Sequence, residues 1–449
     1  MQPTPLSILK DILSRFDDRE VVYSMIHGRE IFDGGDVSDV DLAFNESPLK
    51  VVLPILEEMQ NENMLLIVHA LHYDVPGCYY FIVAIRTNDS ISYLHLDCLY
   101  DSIGINKYLI KSHEFTHERI KLAGVYKPRN EVEAVYLLIK KTKKNTLTPE
   151  AVSYIKNLVP GKEDEAVLFS EKVAGKQFSG VVNNLLKAEP DISAVDMKKS
   201  LKNAVASYQY KHFLRLTLRL VWQFLRGLKR VANPSGIFVV VLGPDGSGKS
   251  TIANLVMTNI CDGYRKSHRF HWRPGCMPKL GRAKKSDGAI EVLGVDSNAP
   301  DMEYKYGVTV SAIRYMYYLL DFIIGADILI SMRRIKSTVI VAERYYYDYF
   351  VHPARYAFKL PGWIFKLGFI FVRKPDLLIL LDNDPDVIWS RKKELTKAEI
   401  ERQIIAYREQ VKKHKHGLFI KTDNSPEEVS RRVVWEILAH TNRKNGHNR

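Results

Sequence analysis

Cysteine is scarce in this sequence, and its few thiols are poorly placed for metal binding. The 449 residues include only Cys78, Cys98, Cys261 and Cys276, and no two of them form a Cys-x-x-Cys pair. A zinc ribbon needs closely spaced pairs of cysteines, and a disulfide framework needs a much denser set in a shorter chain. We therefore expect reduced, mostly buried thiols, as in a cytosolic protein.

Long uncharged apolar runs are also missing. A membrane-spanning helix needs about 18 such residues in succession. The closest stretch, residues 311–332, is interrupted by Arg314, Asp321 and Asp327. The amino-terminal residues 1–16 carry charges inside their apolar part and contain no signal-peptide core. Without a membrane span or a signal core, we expect a cytoplasmic protein. Low-complexity tracts and fixed-period repeats do not occur either.

Acidic residues are outnumbered by basic ones, which bears on the kind of partner. The formal net charge is +13, with 46% hydrophobic and 26% charged residues. This composition is that of a globular protein, and its length predicts two or three domains. The positive charge favours polyanionic partners, such as nucleotides, nucleic acid, phosphorylated glycans or an anionic membrane surface, without choosing among them.

Three regions differ in their hydrophobic pattern. Residues 1–130 mix helical pieces with short β-like runs, residues 131–233 have helical periodicity with few strand signals, and residues 234–449 alternate apolar strands with helices. Alternation of this kind predicts a parallel sheet covered by helices on both faces. We thus expect an α/β protein with a small α+β amino-terminal domain, a helical connector and a carboxy-terminal parallel-sheet domain. The β-like runs of the first region lie at residues 21–26, 40–44, 79–85 and 93–99.

The strongest motif is a glycine-rich loop between an apolar strand and a helix. The segment IFVVVLGPDGSGKST contains Gly243, four further residues, and then Gly248, Lys249 and Ser250. Glycines let backbone N–H groups turn inward around a phosphate, and the following helix directs its positive end at the same anion. Lys249 is placed for the β- and γ-phosphates, and the Ser250 hydroxyl for Mg²⁺. We predict that this P-loop binds ATP and Mg²⁺ through Gly243, Asp245, Gly246, Ser247, Gly248, Lys249, Ser250 and Thr251.

Three more motifs follow the P-loop: HWRPG at 271–275, VIVAERYYYD at 339–348 and PDLLILLDNDPDVIWSRKK at 375–393. With the P-loop, they give residues 237–449 a resemblance to the thymidylate kinase-like branch of the nucleoside monophosphate kinases. HWRP, ERYYYD and HPARY together are similar to the thymidylate kinase-like proteins associated with surface-polysaccharide loci. The resemblance implies a P-loop kinase domain over residues 234–449.

The resemblance also implies roles for four residues outside the loop. Arg273 and Arg344 would hold the acceptor through a phosphate or acidic group, which suits a guanidinium fork. Glu343 would lie by the metal or orient the acceptor, and Arg391 would neutralise charge on the transferring phosphoryl group. Glu343 stands where the family usually has Asp, and Gly246 where some relatives carry a catalytic arginine. Surface salt bridges are the alternative for each arginine.

A second candidate site lies near the amino terminus, in IHGREIFDGGDVSDVDLAF and the later YLHLDCLYD. Gly28, the Asp39-x-Asp41 pair and Asp97 resemble the glycine turn and three carboxylates of the polymerase-β-like nucleotidyltransferases. Alternate residues of a strand share a face, so Asp39 and Asp41 would converge on one pair of cations. Asp97 on a neighbouring strand would complete a two-metal site for nucleotidyl transfer.

This second resemblance has a weak point and an alternative. The family's serine after the glycine is Arg29 here. Lys140, on a helix similar to one in minimal members of the family, would approach the triphosphate. The alternative is a turn rich in Asp and Gly with solvated carboxylates. Residues 1–130 are therefore interpreted as a nucleotidyltransferase-like domain whose activity is open.

The stretch from Lys198 to Arg230 has nine Lys or Arg residues and no acidic residue. Lys211, Arg215 and Arg219 recur every four residues, as one helix face requires. Three interpretations remain open: a membrane-surface helix, a helix whose basic face binds a phosphorylated glycan or lines the kinase cleft, or an amphipathic helix packed between the two domains. Homodimerisation is left open as well.

These observations favour an ATP-dependent phosphotransferase acting on a sugar, phosphosugar or glycan precursor, and they leave open a second activity in nucleotidyl transfer. Alternatives are a dTMP kinase and a nucleotide-sensing or defence module with slow ATP turnover. A nucleic-acid end-modifying enzyme ranks lowest, because no recognised nucleic-acid-binding module is present. The expected location is the cytoplasm, with contact to the inner face of the membrane left open.

Overall fold

The computed structural model of this chain divides into two compact units. One comprises Met1–Asn88 and Ser92–Lys229, and the other Asp89–Ile91 and Arg230–Arg449. The structure describes residues 3–34, 39–72, 77–87, 89–102, 109–187, 194–211, 213–278, 307–356, 358–393 and 395–446.

The first unit begins with a mixed sheet and ends in helices. Its strands are β1 (Tyr23–His27), β2 (Asp39–Phe44), β3 (Leu66–His72), β4 (Tyr79–Arg86), β5 (Ile91–Leu99), β6 (Ile120–Leu122) and β7 (Val125–Lys127). Its helices are α1 (Pro5–Asp18), α2 (Pro48–Val51), α3 (Leu53–Asn61), α4 (Ser112–Thr116), α5 (Asn130–Lys144), α6 (Pro149–Lys156), α7 (Glu163–Ala174), α8 (Lys176–Lys187), α9 (Ala194–Lys211) and α10 (Phe213–Ala232).

The five-stranded sheet of this unit has the order β1-β2-β5-β4-β3. Strands β1 and β2 pair antiparallel, as do β3 and β4, whereas β2 and β5 run parallel. One face is covered by α1 and α3, whose apolar residues share a core with the sheet. The four β-like runs predicted from the sequence correspond to β1, β2, β4 and β5, and strand β3 was not predicted.

The helices after the sheet have a core of their own. It joins α5, α7, α8 and α9, with Phe169, Phe178 and Leu201 among its buried members. The helical periodicity predicted for residues 131–233 is thus confirmed over α5 to α10.

The second unit is built on parallel strands. They are β8 (Ile237–Leu242), β9 (Lys266–His271), β10 (Thr338–Glu343), β11 (Leu377–Asp382) and β12 (Gly417–Lys421). The helices are α11 (Lys249–Ile260), α12 (Val308–Gly325), α13 (Met332–Ile335), α14 (Asp348–Val351), α15 (Gly362–Phe369), α16 (Pro385–Arg391), α17 (Lys397–Lys413) and α18 (Pro426–Gly446).

Its sheet has the order β12-β11-β8-β10-β9, and every neighbouring pair is parallel. Strands β8 and β10 are buried at every position, because a parallel sheet is covered on both faces. Phe238, Val240 and Leu242 face a core formed with α12, α15 and α17. The predicted α/β class with a parallel sheet is confirmed.

The order of the strands places a topological switch point at the end of β8. After β8 the chain forms β9 and β10 on one side of that strand, and it then forms β11 and β12 on the other side.

Helix α12 continues through the π-helical turn Ala326–Ser331 into α13. By length and composition this helix, Val308–Ile335, could cross a membrane, the single such case within the described ranges. Its Tyr318 and Phe322 are nevertheless buried against the parallel sheet, and Asp321 is fully buried. Those contacts are typical of a core helix in a globular domain.

Candidate active site

The loop between β8 and α11 has a backbone that only glycine adopts easily. Gly243, Gly246 and Gly248 have φ angles of 152°, 86° and 86°, in the region that side chains disfavour. A Cβ on Gly243 would lie 2.6 Å from Ser247 Oγ, and one on Gly246 3.1 Å from Lys392 Cβ. The three glycines therefore allow both the positive φ angles and the close approach of neighbouring groups.

The start of α11 offers polar groups with no protein partner. The first amides of a helix lack intrahelical acceptors, and Gly248, which precedes the helix, has no side chain to cap them. The buried Ser247 hydroxyl has no hydrogen-bond partner among the residues that the structure describes. Ser250 and Thr251 in the first turn are exposed. The loop thus fits an anion with several oxygens, such as a polyphosphate.

Lys249 lies beneath this loop rather than in solvent. Its side chain is 5% exposed, and Nζ donates a 2.6 Å hydrogen bond to the Pro244 carbonyl. Nζ also lies 3.7 Å from an Asp245 carboxylate oxygen. Burial lowers the pKa of Lys249 to about 8, although the Asp245 charge opposes the shift. A phosphate group would therefore meet an amine that is already desolvated and whose pKa the charge of the phosphate would raise again.

The carboxylate at the end of β10 faces the first turn of α11. Glu343 accepts a 2.7 Å hydrogen bond from the Ser250 hydroxyl and is paired with Arg269 of β9, whose Nε lies 2.8 Å away. Burial favours the neutral acid, but the hydrogen bonds from Ser250 and Arg269 outweigh it and lower the pKa of Glu343. Glu343 is therefore an anion next to the P-loop hydroxyl.

A hydroxyl and an ionised carboxylate side by side fit a magnesium ion. Mg²⁺ in nucleotide sites takes one or two protein oxygens and fills its other positions with water and phosphate oxygens. Ser250 and Glu343 are oxygen groups of the kind and number that such a site uses, and binding of Mg²⁺ by them stays a prediction. In the described part of the chain, no group of three or more His, Cys, Asp or Glu residues is arranged to hold a metal ion by itself.

Two arginines converge on the carboxylate of the P-loop. Asp245 is bound through one oxygen by Arg344 and through the other by Arg355. Both guanidinium groups lie 3.9 Å from Asp348, which accepts hydrogen bonds from two buried tyrosine hydroxyls. Burial favours the protonated form of Asp245, but Lys249 and the two arginines outweigh it and hold its pKa far below the usual range.

Arg355 is a site residue that the sequence analysis did not single out. It is 3% exposed, and its Nε has no hydrogen-bond partner within the described ranges. It belongs to the HPARY motif, but nothing in that motif indicates that its arginine is buried beside the P-loop. A buried donor of this kind costs about 1–3 kcal/mol unless an acceptor satisfies it. An anionic ligand next to Asp245 would supply that acceptor.

Strained backbone marks the ends of β9 and β10. Trp272, Arg344 and Tyr345 have φ angles of 66°, 67° and 55°, which side-chain-bearing residues adopt at a cost of about 1–3 kcal/mol. The ladder continues past the strands, since Trp272 N–H donates to the Glu343 carbonyl and Arg344 N–H to the Val241 carbonyl. This edge carries the carboxyl ends of the strands, where ligands bind in open α/β sheets.

Arg273, predicted to hold the acceptor, has partners within the protein. It is 6% exposed, and Nη1 donates to Asp321 at 2.7 Å and to the Met277 carbonyl at 2.8 Å. Asp321 also accepts bonds from the Gly275 and Met277 amides. In this conformation Arg273 fastens the HWRPG loop to α12, and its role toward an acceptor stays a prediction.

Arg391 lies at the exposed end of α16, where its guanidinium lies 3.4 Å from the Thr422 carbonyl. The next residue, Lys392, approaches Gly246 of the P-loop, as does Ile388. This basic segment is therefore adjacent to the P-loop. The position agrees with the role suggested for Arg391, which stays a prediction.

The tyrosines after β10 are part of the core. Tyr345, Tyr346, Tyr347 and Tyr349 are at most 2% exposed and pack edge-to-face against neighbours such as Phe322. Their burial does not favour stacking of this cluster on a sugar or a base.

The amino-terminal carboxylates lie on paired strands. The register of β2 and β5 sets Asp41 beside Asp97 and Asp39 beside His95. Burial and the nearby charge of Asp41 raise the pKa of Asp39. Lys140 Nζ lies 3.0 Å from Asp41 Oδ2. The paired strands thus carry the three predicted residues, and binding of a metal pair by them stays a prediction.

In the turn before these carboxylates, Gly28 cannot be replaced without strain, and Arg29 is bound by other groups of the protein. Gly28 has a φ of 92°, and a Cβ there would lie 2.8 Å from the Asp39 carbonyl oxygen. Arg29 donates to the Met25 carbonyl at 3.1 Å and is paired with the buried Glu133. Arg29 therefore ties the turn to α5 instead of facing a triphosphate in this conformation.

Comparison with known proteins adds no family to this description. No protein-family model matches the sequence, and no curated protein matches it.

Proposed function

We propose that the second unit is an ATP- and Mg²⁺-dependent phosphotransferase that acts on an anionic sugar, phosphosugar or glycan precursor. The observation that carries this proposal is the arrangement around the P-loop. Ser250 at its end contacts Glu343, and Arg344 and Arg355 both bind its Asp245. A nucleotide phosphate and an anionic acceptor would thus find complementary groups around one loop.

The nucleotide half of the proposal rests on the loop itself. The free amides of the first turn of α11 and the Ser247 hydroxyl would bind the phosphate chain, and Lys249 would neutralise it. Ser250 and Glu343 would hold Mg²⁺, directly or through water. The bound ion would neutralise the charge that develops on the phosphate oxygens.

The acceptor half rests on the paired arginines. Two buried guanidinium groups meet on one carboxylate, and Arg355 Nε, which has no partner in the described ranges, matches a phosphate or carboxylate oxygen. Lys249, Arg344 and Arg355 carry three positive charges against the two negative charges of Asp245 and Asp348, so the cluster keeps a net positive charge. This excess favours an acceptor that is itself an anion.

The test is turnover of ATP with a panel of acceptors: sugar phosphates, unphosphorylated sugars, dTMP and other nucleoside monophosphates. We expect the highest kcat/KM with a phosphorylated sugar, and loss of transfer in Lys249→Ala. Lys415→Ala, which removes an exposed lysine, is the matched control. Efficient phosphorylation of dTMP alone would favour the dTMP kinase. Tight ATP binding with no acceptor turnover would favour the nucleotide-sensing module.

A second candidate, nucleotidyl transfer by the first unit, is favoured by one observation. Asp39 and Asp41 are close enough for the charge of one to raise the pKa of the other, and a divalent cation relieves such repulsion. Release of pyrophosphate from a nucleoside triphosphate, lost in Asp39→Ala with Asp41→Ala, is the corresponding assay. Unchanged release in this double variant would exclude the activity.

A further inference from the structure

Helix α10 has an exposed apolar side. Its side chains at spacings of three and four residues form one stripe along the helix. They are between 48% and 73% exposed, although a soluble helix normally buries this side. The stripe consists of Leu214, Leu218, Val221, Leu225 and Leu228, with Leu220, Phe224 and Val231 beside it.

A different side of α10 rests on the protein. Trp222 packs edge-on against His72 of β3, with 5.9 Å between the ring centroids. Trp222 lies about 80° around the helix from the centre of the apolar stripe at 100° per residue. The contact with His72 is therefore made beside the stripe, nearly a quarter-turn from its centre.

The charges next to the stripe are all positive. Helix α10 contains five Lys or Arg residues and no acidic residue. Lys229 is exposed and lies one residue from Leu228 on the helix. A helix with an apolar face, a basic remainder and no acidic residue matches the physical requirements of binding at an anionic lipid surface.

We propose that α10 docks the protein on the surface of an anionic lipid bilayer. The helix has 20 residues and is about 30 Å long. Its five Lys or Arg residues disfavour a span across the bilayer, so it would lie in the plane of the surface. The leucines would enter the boundary between headgroups and acyl chains, and Lys229 would contact the lipid phosphates. A second copy of the chain is a poorer occupant, because pairing two such helices brings their positive charges together without an acidic partner.

Flotation of the full chain with lipid vesicles tests this docking. We expect it to float with equimolar phosphatidylglycerol and phosphatidylcholine, and not with phosphatidylcholine alone. Raising the salt weakens flotation, because the charge attraction is screened over about 3 Å at 1 M. Equal flotation with both lipid mixtures, or none with either, overturns the proposal.

Two pairs of variants separate the apolar and charged contributions. Val221→Glu with Leu225→Glu removes flotation, whereas Leu168→Glu with Ile405→Glu, a matched pair at exposed sites outside α10, retains it. Lys229→Glu weakens vesicle binding about 30-fold, because about 1 kcal/mol is lost for each unit of charge. Lys415→Glu makes the same charge change elsewhere and leaves binding unchanged.

Fold and self-association are followed in the same variants. An unchanged melting temperature shows that a loss of flotation is not a loss of folding. The proposal is also overturned if sedimentation equilibrium finds a dimer that Val221→Glu with Leu225→Glu converts to a monomer while vesicle binding stays the same.

Discussion

The hydroxyl of Ser250 donates a 2.7 Å hydrogen bond to the carboxylate of Glu343, across 93 residues of sequence. Ser250 lies in the first turn of α11, and Glu343 is the last residue of β10. Adjacent parallel strands bring the two together, because the carboxyl ends of β8 and β10 meet at one edge of the sheet. Ser250 is exposed, whereas the Glu343 side chain is 1% exposed and its other carboxylate oxygen accepts a hydrogen bond from Arg269.

Replacing this carboxylate is expected to impair metal-dependent turnover. Glu343→Gln keeps the size of the side chain but loses the charge, so kcat with ATP-Mg²⁺ falls about 10- to 100-fold. Steady-state assays over a range of Mg²⁺ concentrations measure the change. Glu401→Gln, an exposed site on α17, is the control. Identical kinetics in both variants would remove Glu343 from the site.

Nucleotide binding should take up a proton at mildly alkaline pH. The pKa of Lys249 in the free protein is about 8, and a bound polyphosphate raises it by charge attraction. At about pH 8.5 part of the Lys249 population therefore gains a proton on binding, whereas near pH 6.5 it is already charged. Calorimetry in buffers of different ionisation enthalpy measures this uptake.

Lys444 provides the control for this measurement. Burial also lowers its pKa to about 8, but it donates to the Gly236 carbonyl, at the start of β8 and away from the P-loop. Lys444→Met should therefore leave the proton uptake unchanged. Binding heats that are the same in all buffers at alkaline pH would contradict the role given to Lys249.

Arg355→Lys separates binding of the acceptor from binding of the nucleotide. Lysine cannot reproduce the fork of a guanidinium group, and one lost hydrogen bond to a charged group corresponds to about 1.5–3 kcal/mol. We expect the KM for the acceptor to rise about 10- to 100-fold and the KM for ATP to change little. Arg408→Lys, at an exposed ion pair with Asp382, should alter neither value. An equal rise in both KM values would argue against the assignment.

Asp321→Ala tests the structural role of the pair with Arg273. The variant leaves a buried guanidinium and two amides without their acceptor, which costs about 3–5 kcal/mol in the free energy of unfolding. Asp327→Ala removes an exposed partner of Arg373 from the same helix and should cost at most about 1 kcal/mol. Urea denaturation compares the two. Equal losses would mean that Arg273 is not fastened by Asp321.

The amino-terminal carboxylates predict a stability change with a defined sign. The pKa of Asp39 is raised above 3.8 by burial and by Asp41, so the folded state binds a proton more tightly than the unfolded state. Its contribution to stability is therefore lost as the pH rises through the folded pKa. Asp39→Asn should raise the melting temperature at neutral pH and not in acid.

Asp164→Asn is the control for this prediction, since its side chain is 82% exposed. Added Mg²⁺ should stabilise the wild-type protein more than Asp39→Asn, because the cation relieves the repulsion that the substitution removes. A variant less stable than the wild type at neutral pH would contradict the repulsion.

Local sequence determined the P-loop and the strands that carry it. Glycines at 243, 246 and 248 impose their backbone through neighbours within a few residues, and the apolar run IFVVVL can only be buried on both faces. The helical character of residues 131–233 likewise follows from periodicity. These features depend on residues that are close together in the sequence, so a local sequence pattern is enough to predict them.

The partners of the arginines were decided only by the tertiary structure. Arg355 lies 110 residues from Asp245, and Arg273 lies 48 from Asp321. No local pattern records which carboxylate a guanidinium meets, because that depends on how loops fold back over the edge of the sheet. The exposure of the apolar side of α10 was decided in the same way. Periodicity shows that a helix has an apolar side, and packing alone determines whether the protein covers it.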